Sequence, residues 1–268
     1  MPFDIVLPSI VSLITIAIIW LYVKFEAKMK TIFEEKEFRV RDAVFLVLAM
    51  GIMVTIIVFV PQQAIQILFL AAYSFVLFLF TYIAVERWYV ALLPPAIFVL
   101  LYLFAWNLIL LNIFAILFAV FISVYLGGLF SWKTVLVFAA LITVMDIIQV
   151  FVTGFMGTSA EKLVELKLPI LIHVPTFPLE GSIRLGLGDL FLAGLLSIQT
   201  AQRYGRRAGG ITAVTIGLAF LVFEAIVFSY RFAGYFPATV VVLSGWLLGL
   251  GIRRLVATAR FVTFITSS

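Results

Sequence analysis

The chain is 268 residues long, 65% hydrophobic and only 12% charged, whereas soluble domains average about 45–50% apolar and about 25% charged residues. Its formal charge of +5 has a membrane explanation, because Lys and Arg accumulate in cytoplasmic loops; they form no single large block, so nucleic acid is not an expected partner. The absence of cysteine excludes disulfides, thiolate metal sites and a cysteine nucleophile. One histidine, His173, is too few for a histidine-rich metal site, so neither a metal nor another cofactor is expected.

Long uncharged runs recur along the whole chain, which predicts an all-α polytopic membrane protein forming one transmembrane domain. An outer-membrane barrel would need strands of about ten residues with alternating polarity, and those are missing. A helix needs about 20 apolar residues to cross the hydrocarbon. On that criterion about nine spans are expected, near 5–23, 43–60, 64–85, 89–106, 108–129, 133–152, 183–200, 211–230 and 236–254. The first run is too long for a signal-peptide core and lacks a small-x-small cleavage site, so it is expected to be retained. Trp20, Trp88 and Trp132 near span ends fit interfacial anchors.

Between spans one and two, residues 24–42 carry charges of both signs. Phe25, Met29, Ile32 and Phe33 share a helical face, so this loop either lies in the interface or forms a solvated hairpin. Only Asn107 separates spans four and five, and Pro94-Pro95 interrupts the fourth. Residues 153–182 form the other long connection, with a short helix expected near 159–168 and a proline-bounded extended run at 169–174. His173 reads as an interfacial loop residue of that run. Arg203, Arg206 and Arg207, followed by Gly209-Gly210, mark the turn between spans seven and eight. No internal repeat is apparent. With nine spans, about 14 of the 18 basic residues fall on one side, which predicts an external N-terminus and a cytoplasmic C-terminus.

Two carboxyls stand inside this apolar frame. Asp146 lies about six residues before the end of span six, and Asp189 about six after the start of span seven. At 1.5 Å per residue, both are roughly 9 Å below the same surface. Intramembrane acids are costly, about 2.5–3.5 kcal/mol at a helix centre, and mark function by default. Gly186 and Gly188 free the backbone beside Asp189 to leave helical geometry or approach another chain closely. Two adjoining carboxyls share a proton. The ionised one can take a proton from water while the other donates to a developing oxyanion, so the expected chemistry is metal-free peptide hydrolysis by a two-carboxylate dyad. A helical substrate must first unwind, and the run at 169–174 is expected to receive the unwound strand edge to edge.

Gly186-Leu187-Gly188-Asp189 resembles the Gly-x-Gly-Asp motif of intramembrane aspartyl proteases of the presenilin and signal peptide peptidase family. That family has nine spans with its catalytic acids in spans six and seven, as Asp146 and Asp189 would be, and a Pro-Ala-Leu motif opening span nine, where this chain has Pro237-Ala238-Thr239. The likeness is good over residues 134–250; spans one to five match only in number and hydrophobicity. It implies a presenilin-like bundle, with residues 1–130 as scaffold and 131–268 as the catalytic part. Gly186, Leu187, Gly188, Met145, Pro237, Ala238 and Thr239 would then position substrate. Met145 stands where a Tyr is usual, and Thr239 where a Leu is usual. The short loops resemble microbial homologues, particularly archaeal ones, and the N-out orientation resembles the signal peptide peptidase branch. The implied partners are transmembrane helical substrates, including signal peptides and type II-oriented segments, within membrane lipid. A homo-oligomer is compatible with this, and no obligate partner subunit is expected.

Glu224 is a third acid near the dyad's depth, expected to tune the dyad, pair with Arg231 or relay protons. Gln149, three residues after Asp146, shares its helix face and is expected to line the cavity and tune the pair. Asn107, Asn112 and Gln149 are expected to hydrogen-bond between helices. Alternatives stay open: a proton- or ion-coupled transporter or channel using Asp146, Asp189 and Glu224; a prepilin-type peptidase sharing Gly-x-Gly-Asp; and a binder of membrane helices without catalysis.

Overall fold

A computed structural model of the chain describes residues 4–32, 37–178, 181–230 and 234–266. In chain order the elements are α1 (Val6–Ile32), α2 (Val40–Phe59), α3 (Gln62–Val85), α4 (Trp88–Ala91), α5 (Leu93–Phe104), α6 (Leu108–Gly127) and α7 (Trp132–Ile147). A π-helical segment, Ile148–Val152, extends α7. Then come α8 (Phe155–Glu165), strands β1 (Leu171–Pro175) and β2 (Ser182–Gly186), α9 (Leu187–Tyr204), α10 (Arg206–Tyr230) and α11 (Ala238–Thr266). Among the described residues, seven helices are long and apolar enough to cross a membrane: α1, α2, α3, α6, α7 with its π extension, α10 and α11. The protein is thus a helical, polytopic membrane protein with one small antiparallel hairpin.

Two of the expected spans fall outside that set, for different reasons. The apolar stretch Trp88–Phe104 is short and divides at Leu92, where α5 restarts with the proline pair in its first turn. Proline is tolerated there because the first-turn amides have no intrahelical partner. Helix α9 is less apolar because it does not face lipid. It packs against α1, α6, α7, α10 and α11, and every residue from Leu190 to Thr200 is buried. Its polar side chains find protein partners: Gln199 donates to the carbonyls of Gly127 (3.0 Å) and Phe130 (2.6 Å), and the Trp246 indole donates to the Thr200 hydroxyl (3.0 Å).

Local signals explain the remaining boundaries. Asn107 caps α6 by accepting the Leu110 amide at 3.0 Å, so it is a cap and not the interhelical bridge expected of it. Ser131 caps α7 through the Thr134 amide. Gly154, at φ 69°, turns the chain into α8, four residues ahead of the expected start. Helix α1 runs on to Ile32, and its Phe25 ring packs edge-on against Phe80 at 5.3 Å. Phe33 lies outside the described residues, as do the Met29 and Ile32 side chains.

The first helices grip the connection between α8 and β2. An aromatic cluster from α3, α5, α6 and the α5–α6 connection, with Tyr73 stacked on Phe118 at 3.8 Å and the buried Phe98 edge-on to both, presents polar tips to that segment. Tyr73 donates to the Pro169 carbonyl (3.0 Å), Tyr102 to Leu166 (2.9 Å) and the Trp106 indole to Lys167 (2.8 Å). Lys162 on α8 donates to the carbonyls of Ile57, Val58 and Val60 at the end of α2, which suits the negative end of a helix.

Helix backbones approach closely between α10 and α11. A Cβ on Gly245 would stand 2.6 Å from Ile216 Cα and 2.9 Å from the Thr215 carbonyl oxygen. Gly245→Val is therefore expected to cost about 1–3 kcal/mol by overpacking and to lower the thermal unfolding midpoint in detergent. Gly251→Ala, where a Cβ meets nothing within 4 Å, is the matched control and should leave the midpoint in place.

Candidate active site

Asp146 and Asp189 come from neighbouring, packed helices, one near the end of α7 and the other in the first turn of α9. Both line a single cavity of about 130 Å³ and lie within electrostatic reach of each other. The volume holds several water molecules. Strand β2 contributes Arg184, Leu185 and Gly186, β1 contributes Leu171, and the start of α11 with its preceding loop contributes Tyr235, Phe236 and Ala238. Helix α8 closes one wall with Met156, Ala160 and Val164, which sit on one helical face at four-residue spacing.

Each carboxyl is held by a specific local device. Asp146 is buried, and its Oδ2 accepts a 2.7 Å hydrogen bond from the Thr239 hydroxyl; the Thr239 backbone also hydrogen-bonds it. The N-terminus of α11 thus clasps the acid of α7. Asp189 folds back over its own helix start and is hydrogen-bonded by the Gly186 backbone. A Cβ on Gly186 would stand 2.9 Å from Asp189 Oδ2, so glycine is what admits the carboxyl there. A Cβ on Gly188 would meet nothing within 4 Å; its bareness keeps the exposed flank of the first turn open.

The strand pair decides where an extended peptide can bind. Residues of β1 and β2 pair as Ile172 with Leu185, His173 with Arg184 and Val174 with Ile183. The His173 amide donates to Asn112 Oδ1 (2.9 Å), and its carbonyl accepts from Asn112 Nδ2 (2.8 Å). Asn112 of α6 therefore occupies the outer edge of β1 as a surrogate strand. This corrects the expectation that residues 169–174 would receive a peptide. In an antiparallel ladder, successive residues point their backbone groups alternately to the partner and outward. Arg184, opposite His173, turns its N–H and C=O away from β1, and the open edge belongs to β2, which lines the carboxyl cavity. Burial and the facing Arg184 hold the His173 imidazole below its ordinary pKa, so it is neutral at pH 7.

Gly186, Ala238 and Thr239 meet the carboxyl pair; the other expected site residues do not. Gln149 turns to α2, where its amide donates to the Gly51 carbonyl at 3.0 Å. The wider π turn shifts the helix phase after Asp146, so Val150 reaches the cavity in its stead. Met145 packs against Gly51. Met145 and Gln149 both line a separate apolar groove of about 510 Å³ between α2 and α7. Leu187 donates its amide to the Ile170 carbonyl (3.0 Å) and packs into the core. Pro237 is buried and accepts the Val240 amide at the start of α11.

Glu224 is 3% exposed, and neither carboxyl oxygen has a partner among the described residues. It does not line the dyad cavity; among the described residues Asp4 acts on it electrostatically. Asp4 itself accepts from the amides of Val6, Leu7 and Phe177, tying the start of α1 to the loop after β1. The expected pairing of Glu224 with Arg231 lies outside the described residues. Arg184, Tyr235 and Val150 were missed from sequence. Arg184 had a signal, being a lone cation two residues before Gly186.

No family model and no curated protein matches the chain, so the geometry carries the assignment and can be tested directly. In a chain without native cysteine, Asp146→Cys with Asp189→Cys should be bridged by a short bifunctional thiol-reactive reagent such as a bis-maleimide, read as the intact-mass gain of one linker. Asp146→Cys with Glu224→Cys should not be bridged. No bridge in the first pair, with each cysteine singly reactive, would contradict the shared cavity.

Proposed function

We propose that this chain is an intramembrane aspartyl endopeptidase that cleaves transmembrane helices, of the presenilin and signal peptide peptidase kind. One observation carries the proposal: two carboxyls from packed helices line the same small cavity, directly beside the outer edge of β2 at Arg184, whose backbone groups have no partner among the described residues. One carboxylate removes a proton from a water held between the pair, and that water attacks the scissile carbonyl. The other carboxyl gives its proton to the oxyanion. Collapse of the tetrahedral intermediate returns a proton to the amine as the C–N bond breaks. The titration belongs to the pair and not to either member, so activity should be bell-shaped in pH.

A substrate helix arriving through lipid meets the apolar groove between α2 and α7, whose Met145 directly precedes Asp146. Unwound, its backbone can add to the outer edge of β2 at Arg184, which leads to Asp189. Strand addition supplies main-chain hydrogen bonds without demanding one sequence. In this scheme the stretch Trp88–Phe104 and the protein-sheathed α9 complete nine spans. The basic side is cytoplasmic, leaving the N-terminus outside and the C-terminus inside, in a cell membrane of archaeal type. The contact of Ala238 and Thr239 with the dyad favours this family over a prepilin-type peptidase. The unpartnered Glu224 favours the second reading, proton- or ion-coupled transport, although it stands apart from the dyad.

Asp146→Asn and Asp189→Asn should each abolish cleavage of a reporter transmembrane helix in liposomes, read as loss of both product fragments by mass spectrometry. Cleavage persisting in either variant would refute the dyad. Ion- or pH-driven flux in the same liposomes without peptide products would favour transport, and substrate retention without cleavage would mark a binder.

Thr239→Val should lower kcat about 10–100-fold, because hydrogen bonds to charged groups are worth about 1.5–3 kcal/mol. Thr239→Ser keeps the hydroxyl and should retain most activity. If valine and serine behave alike, the hydroxyl does not position Asp146.

A further inference from the structure

The end of the bundle opposite the carboxyl pair gathers cations and aromatic rings. Arg203, near the end of α9, holds its guanidinium 4.7 Å from the Trp132 ring centroid and 5.5 Å from that of Tyr204. Arg253 of α11 places its guanidinium 3.5 Å from the same Tyr204 ring. Trp132 packs in turn on Tyr204 and Trp246. Two like charges around one phenol ring repel each other, and neither arginine has an ion pair among the described residues. Lys133 and Arg207 add exposed charge at the starts of α7 and α10. Glu26 lies elsewhere, lining a pocket with Arg206, Tyr22 and Gln202 beside α1.

The arrangement has the features of an anion site. A guanidinium lying against a ring is held by its flat face, which leaves the N–H edge available. That edge matches the oxygens of a phosphate bidentately, as an ammonium cannot. Depth selects the source of the phosphate. Trp132 opens the α7 span, Arg206 opens the α10 span, and the α11 span closes at Leu255, two residues past Arg253. The cluster therefore lies at the level of headgroups, where basic pockets between helices bind acidic lipids. One turn or so deeper on the same helices, Leu136, Leu247 and Leu248 are exposed, a surface for acyl chains that a free ion would not use.

We propose that Arg203 and Arg253, fixed on Trp132 and Tyr204, bind the phosphate of an anionic phospholipid headgroup. The site is remote from Asp146 and Asp189 and does not depend on the protease proposal. The test is native mass spectrometry of the full chain in detergent, titrated with phosphatidylglycerol or phosphatidylcholine. The wild type should retain phosphatidylglycerol in preference to phosphatidylcholine. Arg203→Gln with Arg253→Gln should weaken phosphatidylglycerol retention on the order of tenfold. Arg87→Gln, an exposed cation at the α3–α4 junction, should leave it unchanged.

Arg203→Lys with Arg253→Lys keeps the charge but loses the stacked fork, and retention should fall with it. That pair also carries the test if the glutamine pair does not fold. The proposal is overturned if the lysine pair binds as well as wild type, if Arg87→Gln weakens binding equally, or if inorganic phosphate at millimolar concentration displaces the lipid completely.

Discussion

A carboxyl below the lipid headgroups is tolerable only when protein and water surround it, because hydrocarbon solvates neither its charge nor its hydrogen bonds. The architecture follows from that constraint. Helix α9, which carries Asp189, is enclosed by five other helices along its buried length, so it needs no lipid-facing hydrophobic surface. Asp146 reaches the same interior from α7 and is clasped by Thr239 from α11. Three elements distant in sequence thus converge on one cavity of about 130 Å³, room enough for water. The outer helices are left to do what hydropathy detects, which is to face lipid.

Enclosure also explains what the sequence could and could not disclose. Spans such as α2 and α6 are legible because their apolar runs have the length a bilayer demands. The two acids are legible because carboxyls are rare in such runs, and their matched depth needs only a count of residues. Strand β2 was hidden inside the expected seventh span, since Ile183 and Leu185 suit a strand or a helix equally; the antiparallel partner β1 decides the matter. Gln149 was misjudged because a three-residue spacing implies a shared face only while the helix stays α-helical. The role of Asn112 had no sequence signal, as its partner lies 61 residues away.

The N-terminal helices do more than bury area. Side-chain tips from α3, α5, α6 and the α5–α6 connection satisfy the carbonyls of Leu166, Lys167, Pro169 and His173. A connection with irregular backbone would otherwise expose unpaired amides and carbonyls near lipid. Fixing β1 fixes β2 through their register, and β2 runs directly into the turn that holds Asp189. The carboxyl's position is therefore tied to aromatic packing outside its own cavity.

The π-helical segment after Asp146 has a consequence for chain length. Adding or deleting one residue in an α-helix rotates everything beyond it by about 100°, which ordinarily scrambles a packed face. Here the surplus residue is absorbed between Ile148 and Val152, and the wide turn ends where Gly154 redirects the chain into α8. Upstream, Asp146 keeps its heading; downstream, the glycine corner resets direction. Single-residue insertions and deletions should thus be tolerated at this joint far better than anywhere else along α7, making it the place where related chains can differ in length without misaligning their acids.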